Sequence, residues 1–338
     1  MKKSFVRIIT AVILASTLLS LISCGSKYEL PESSEEELET VLRVGDYEVP
    51  FELYRYFFMN YKRTYDEGDE SHWDKLGEAE SFSMLDGLAR DSITRIYATL
   101  ALALDYKIDY KSGAVQREVI KTIEEYIDME CDGDMEIYKK DLEGAFMNSS
   151  VFRFVMAEFE CESRLFDALV DEGKIVTDDE TIMNAITGGE FCHAKQILIM
   201  NNDEDDPEEN RRIAEEVLAK AQAGDDFDRL VAEYGEDTEM ITSPVGYYFT
   251  HGELIEEFEE AAFALEIGEL SPIVESPLGY HIILRCELDP MYVAQNFEDL
   301  AEAYKTSKFY FAVNEKIETL TVTEAERWRS LSMNDFKY

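Results

Sequence analysis

The chain is short of cations. It carries 32 Lys and Arg against 73 Asp and Glu, a formal net charge of −41. A surface this acidic repels phosphate backbones and anionic headgroups, which argues against nucleic acid and against an anionic membrane surface as partners. It favours solubility and attraction for cationic chains. Cysteine is scarce as well: five in 338 residues, with no CxxC or other metal-ligand spacing, so no zinc site is expected. Cys192 and Cys286 fall on candidate neighbouring strands, where alternation sends them to opposite faces and disfavours a disulfide. Asp132-Gly133-Asp134 and Asp203-Glu204-Asp205-Asp206 lack the glycine and terminal Glu of a calcium loop and read as solvated turns. No internal repeat or low-complexity block stands out. What is present is apolar: 46% hydrophobic and 12% aromatic residues are ample for a core, so the acidity does not mean disorder.

At 338 residues there is room for two domains and a leader. Lys2, Lys3 and Arg7 precede an apolar run from Ile8 to Ile22, too short for a membrane span and read as a signal peptide over 1–23. Residues 24–40 are polar, acidic and non-periodic, an acidic tether. Val41–Val49 reads as a hairpin around Gly45-Asp46. Helical periodicity follows over Phe51–Tyr65, Met84–Leu104 and Val115–Met129, then from Ser149-Ser150 to about Asp171. In the last of these, Phe152, Val155, Phe159, Phe166, Leu169 and Val170 form the expected buried stripe. Residues 41–188 are thus a helical region. Residues 189–288 read as strand, two helices, a loop over Glu236–Pro244, strand, helix and two strands, a small antiparallel sheet wrapped by helices. Helical character returns over 289–338.

The most telling stretch is Phe258–Cys286. Phe258, Ala261, Ala262 and Leu265 share one helical face, Gly268 offers a stop, and Tyr280-His281-Ile282-Ile283-Leu284 is strand-like. One His among apolar strand residues beside an apolar helix is a site-like pattern. The run resembles the C-terminal half of the parvulin family of peptidyl-prolyl isomerases, close to F-E-x-A-A-F-x-L-x-x-G-E-x-S-x-x-V-x-[ST]-x-x-G-Y-H-I-I, and the resemblance extends from about Cys192 to Glu287. More diffusely, the flanking helices resemble the chaperone-like regions of SurA- and PrsA-like foldases. That implies an α+β fold. A helical chaperone-like domain would be built from the N- and C-terminal segments, with a four-stranded parvulin domain inserted. Likewise Leu21-Ile22-Ser23-Cys24 resembles a bacterial lipobox, implying cleavage before Cys24 and lipidation on it; the alternative is an ordinary signal peptide with a chance Cys.

The resemblance also implies site residues. Leu254 and Phe258 match the proline pocket, Val245 a flanking apolar position, and Phe263 follows in the same helix, where core packing is the competing role. His281 matches the second site His, Asp237 the Asp or Cys of the family, and Ser276 a hydrogen-bonding Ser or Thr. The first strand departs from the pattern. Where the family has His beside Ile-Leu, this chain has Gln196, and His193 lies three residues upstream, on the other face. Gln donates and accepts at once, so it can still orient His281, but it cannot change charge. The implied activity needs no cofactor. It is an exported, lipid-anchored prolyl isomerase on the outer face of a bacterial membrane, whose partners are unfolded, proline-containing secreted proteins. The alternative is a chaperone of the same fold that only holds extended peptides. Residues 201–209 carry no Lys or Arg, so unphosphorylated X–Pro is the expected substrate. A homodimer stays open.

Overall fold

The computed structural model describes residues 26–30, 38–74, 77–201 and 206–338. The expected signal peptide, Cys24, most of the tether and the acidic residues 203–205 lie outside them. Among the described residues, no helix is long and apolar enough to cross a membrane. The fold is α+β. In chain order the elements are β1 (Thr40–Val44), β2 (Tyr47–Pro50), α1 (Phe51–Asp66), α2 (Glu78–Asp105), α3 (Gly113–Glu130), α4 (Met135–Gly144), α5 (Ser149–Asp171) and α6 (Asp179–Ala185). Next come β3 (Cys192–Met200), α7 (Pro207–Gln222), α8 (Phe227–Tyr234), α9 (Thr238–Thr242), β4 (Tyr247–Phe249), α10 (Glu256–Ala264), β5 (Val274–Ser276) and β6 (Gly279–Cys286). The chain closes with α11 (Pro290–Gln295), α12 (Phe297–Ile317) and β7 (Val322–Glu324).

Two compact units divide these elements, one drawn from residues up to 168 and from 312 onward, the other from Leu169 to Phe311. In the first, the β1–β2 hairpin takes β7 as its third strand. Its core is aromatic: Phe336, fully buried, stacks on Phe58 with ring centroids 3.9 Å apart. Lys62 is also fully buried. It is held by Asp66 at 3.0 Å and Glu70 at 2.8 Å, the pairing a buried ammonium requires. Sequence patterning missed α4, which Asp134 caps by accepting from the Glu136 amide at 2.8 Å. The expected cap and stripe of α5 need correcting. Asn148, not Ser149 or Ser150, accepts the Val151 amide at 2.9 Å. Phe159 is 42% exposed, because the inward row is the i, i+4 series Ala157, Cys161, Leu165, Leu169, and Phe159 stands two residues off it.

The second unit is built on a four-stranded antiparallel sheet in the order β4-β3-β6-β5. β3 and β6 pair continuously from His193↔Cys286 to Met200↔Gly279. Period-2 alternation gives the sheet two faces. One buries Ile197, Ile199, Tyr280 and Ile282 against Ala214 and Val217 of α7 and Leu230 of α8. The other buries Cys192, Ala194, Phe249 and Ile283 against Phe258 and Ala262 of α10. Cys192 and Cys286 are free and fall on opposite faces, since Cys286 pairs with His193. Two glycines are obligatory. A Cβ on Gly279 (φ +140°) would sit 2.1 Å from the Ile199 carbonyl, and one on Gly246 (φ +91°) 2.8 Å from that of Ala194.

Candidate active site

The α10-facing side of the sheet carries a polar cluster with one member from each strand. In sheet order these are Tyr247 on β4, Gln196 on β3, His281 on β6 and Ser276 on β5. The pairings Ala194↔Tyr247, Leu198↔His281, Gln196↔Ile283 and Ser276↔Gly279 put all four on one face. Gln196 and His281 are diagonal neighbours, close enough to bond directly. The His281 Nδ1 lies 2.6 Å from the Gln196 Oε1, and its Nε2 lies 2.6 Å from the Ser276 Oγ. Gln196 Nε2 donates to the Asp237 Oδ2 at 2.6 Å, and the Tyr247 hydroxyl donates to the same oxygen at 2.8 Å.

Asp237 is placed by its own backbone chemistry. The segment Glu236–Pro244, expected as loop, contains the short helix α9, and Asp237 is its N-cap. Its Oδ1 accepts the amides of Glu239 at 3.1 Å and Met240 at 3.2 Å. Capping thus fixes one oxygen and aims the other at Gln196 and Tyr247. Burial pushes the Tyr247 hydroxyl pKa well up, and the Asp237 carboxylate pushes it further, so this residue is a firm donor. His281 is 1% exposed. Burial lowers its pKa to about 4, against an opposing pull from Asp237 and Glu257, and it is neutral at physiological pH.

Beside this chain lies the apolar wall. The Phe258 ring stands edge-on to the His281 ring with centroids 6.0 Å apart, and its other ring neighbours are Tyr247 at 6.4 Å and Phe249 at 5.6 Å. Leu254 packs on the same cluster. Phe263 belongs to its edge, with its ring against Phe249, His251 and Arg285. The Val245 side chain is 44% exposed, and the Val245 carbonyl faces the Nε2 of His193 at 2.7 Å. The other nitrogen of His193 lies 2.6 Å from the Glu287 carbonyl, and the ring stacks on Tyr248 at 4.0 Å. β3 has no bulge between residues 193 and 196, so His193 remains on the opposite face.

Two residues escaped the sequence reading. Tyr247 had a usable signal, an aromatic hydroxyl directly after the obligatory Gly246. Glu259 is the second. It is 7% exposed, and its carboxylate accepts three consecutive amides, Gly252 at 2.9 Å, Glu253 at 2.8 Å and Leu254 at 2.6 Å. It folds the turn that delivers Leu254 and sits next to Phe258 on α10. Its signal was an acid on the helix face that also carries Phe258 and Ala262.

Residues 196–287 match the Rotamase family, described as the PPIC-type PPIASE domain. This stretch is similar to a rotamase domain, and the matched relatives overlap it. The foldase protein PrsA of Halalkalibacterium halodurans is 50% identical over 78 residues, 22% of this chain and 23% of that protein. That of Geobacillus kaustophilus is 41% identical over 76 residues, 22% of this chain and 27% of that protein. The chain therefore spans about a quarter of the length of the curated relatives it matches. Among solved structures, a peptidylprolyl isomerase (PrsA) from Bacillus anthracis is similar over 68% of this chain and 96% of its own, at 20% identity and a TM-score of 0.39. The match to the family opens at Gln196 itself.

Proposed function

We propose that the protein is a peptidyl-prolyl cis–trans isomerase that assists the folding of exported proteins. The observation that carries this reading is the hydrogen-bonded chain Asp237–Gln196–His281–Ser276 set beside the Leu254–Phe258 wall. Rotation about X–Pro is slow because amide resonance must break, a barrier of about 18–20 kcal/mol. Lowering it by about 4 kcal/mol gives roughly a thousandfold. That calls for an apolar seat for the proline ring and fixed polar groups that favour the twisted amide, with no nucleophile or cofactor. Leu254 and Phe258 form the seat, with Phe263 and Val245 at its margin. His281, Asp237, Gln196 and Ser276 are the fixed polar groups.

Around this domain, residues 41–188 and 289–338 act as the chaperone-like part, and Cys24 as the lipidated anchor on the extracytoplasmic face. Clients are extended, proline-containing chains, cationic ones favoured by the charge of −41. One observation favours a second reading, a peptide-holding module without turnover: Gln196 stands where the family resemblance places His. An exchange assay of cis and trans X–Pro peptides with the full chain decides. Accelerated exchange is expected. Peptide binding with no acceleration would leave the holding module.

A further inference from the structure

We infer that the site is a one-way hydrogen-bond chain whose direction is set at Asp237, so that Gln196 holds His281 as the Nδ1–H tautomer and the Ser276 hydroxyl donates to Nε2. The inference deepens the isomerase reading and rests on it for its functional meaning. The argument starts from the fact that a carboxylate only accepts. Asp237 already takes two backbone amides and the Tyr247 hydroxyl. The Gln196 atom 2.6 Å from it must therefore be the amide nitrogen. That leaves Oε1 for His281, an acceptor facing Nδ1 at 2.6 Å, so Nδ1 carries the proton. A neutral ring has only one, so Nε2 accepts, and the Ser276 hydroxyl 2.6 Å away is its donor. The Ser276 oxygen is left to accept, as it does from the Leu278 amide at 3.1 Å.

Two consequences follow. Every bond points toward the one charge, so each polarises the next, and the outer, half-buried end of the chain becomes a strengthened acceptor. A substrate at Ser276 meets an acceptor for its own N–H, not a proton for its twisted carbonyl. A histidine at 196 donating to Asp237 would keep the same direction but could pass a proton along the chain toward the carboxylate, whereas the Gln196 amide cannot. Tyr247 is the positioning residue that closes the Asp237 end.

The test is the ring 15N signature of His281 in labelled full-length protein, which reports the tautomer without reference to activity. Wild type should show protonated Nδ1 and bare Nε2. Asp237→Asn keeps the α9 cap but puts a donor opposite Gln196. The amide should flip and the proton move to Nε2. Ser276→Ala should leave the proton on Nδ1, and it serves equally if Asp237→Asn does not fold. A bare Nδ1 in wild type, an unmoved proton in a folded Asp237→Asn, or a shift to Nε2 in Ser276→Ala overturns the inference. A wild type with the stated tautomer but no proline isomerisation would sink the functional reading and leave the directed chain standing.

Discussion

The two faces of the β4-β3-β6-β5 sheet use the same strands for different ends. Against α7 and α8 Ile197, Ile199, Tyr280 and Ile282 form a continuous apolar core, and the polar residues of β3 on that face, His193 and Lys195, stand toward one end of the strand. Against α10 the core is interrupted by Tyr247, Gln196, His281 and Ser276, whose side chains bond to one another and to Asp237. The histidines show the contrast. His193 faces two backbone carbonyls and an aromatic stack, whereas His281 is bonded only through side chains. A histidine tied to backbone holds strands together, and one tied to movable side chains can serve chemistry. A buried polar network is costly unless every member is paired, so the α10 face bears a risk that the apolar core of the other avoids.

The largest effect should come from emptying each face in turn. Phe258→Ala and Ile282→Ala should each cost about 2–5 kcal/mol of stability, as large-to-small changes at buried sites do. They should part company in activity. Per folded molecule, Ile282→Ala should keep it, while Phe258→Ala should lose most of it with the proline seat. Urea titration plus an isomerisation assay on folded protein checks both. Equal activity in the two variants would erase the functional contrast between faces.

Next in size is a pH effect confined to the α10 face. His281 titrates at 6.5 when unfolded and at about 4 when folded. Between those values the unfolded chain binds more protons, so stability rises with pH and falls as the solution is acidified. The contribution, about 3 kcal/mol, is complete above pH 6.5, is lost as pH drops toward about 4, and is flat below. Asp237 and Glu257 oppose the shift and narrow the window. His281→Asn should remove this segment of the wild-type stability curve. A variant curve parallel to wild type between pH 6.5 and 4 would show that His281 is not buried neutral.

How much of this was readable in advance depends on range. Elements with strong local signals came through: the β1–β2 hairpin, α5, the β3–β6 strands and α10 follow from periodicity and turn residues. The short helices α4, α6 and α9 did not, because each is a turn or a few held by a cap such as Asp134, Asp178 or Asp237, and in so acidic a chain a capping Asp looks like any other. In the candidate site, Gln196, Asp237, Ser276 and His281 could be picked from motif spacing. The Gln196–His281 bond and a hydrogen-bonding Ser276 were expected from the resemblance, but the closure of the chain at Asp237 and Tyr247 was not, since it depends on the α9 cap and on the register of β4. Glu259 was hidden for a related reason: its partners are backbone amides, which leave no trace in side-chain identity.

A smaller effect tests whether the proline seat is held from beneath. Glu259→Gln keeps the volume but offers one acceptor oxygen where two now serve three amides. Losing such bonds costs about 1–3 kcal/mol. The loosened 252–254 turn should displace Leu254 and weaken peptide binding, with turnover at saturation nearly kept. A fall in kcat with KM unchanged would mean that Glu259 acts on the polar chain instead.

The smallest expected change is the most discriminating. Gln196→His should fold as well as wild type, because the ring can take the same place between Asp237 and His281, accepting nothing from Asp237 and donating to it. It keeps the direction set at Asp237 but replaces an amide that cannot exchange protons with a ring that can pass one along the chain toward the carboxylate. If proton mobility along the chain helps the amide twist, activity should rise by a few-fold, less than about 1.4 kcal/mol in barrier, which is tenfold. If the seat formed by Leu254 and Phe258 dominates, activity should be unchanged, because nothing on that wall has moved. A loss of activity would say something different: that the fixed protons held by the Gln196 amide are themselves what the polar face contributes, and that the acceptor at Ser276, not a mobile proton, is what a twisting prolyl bond needs.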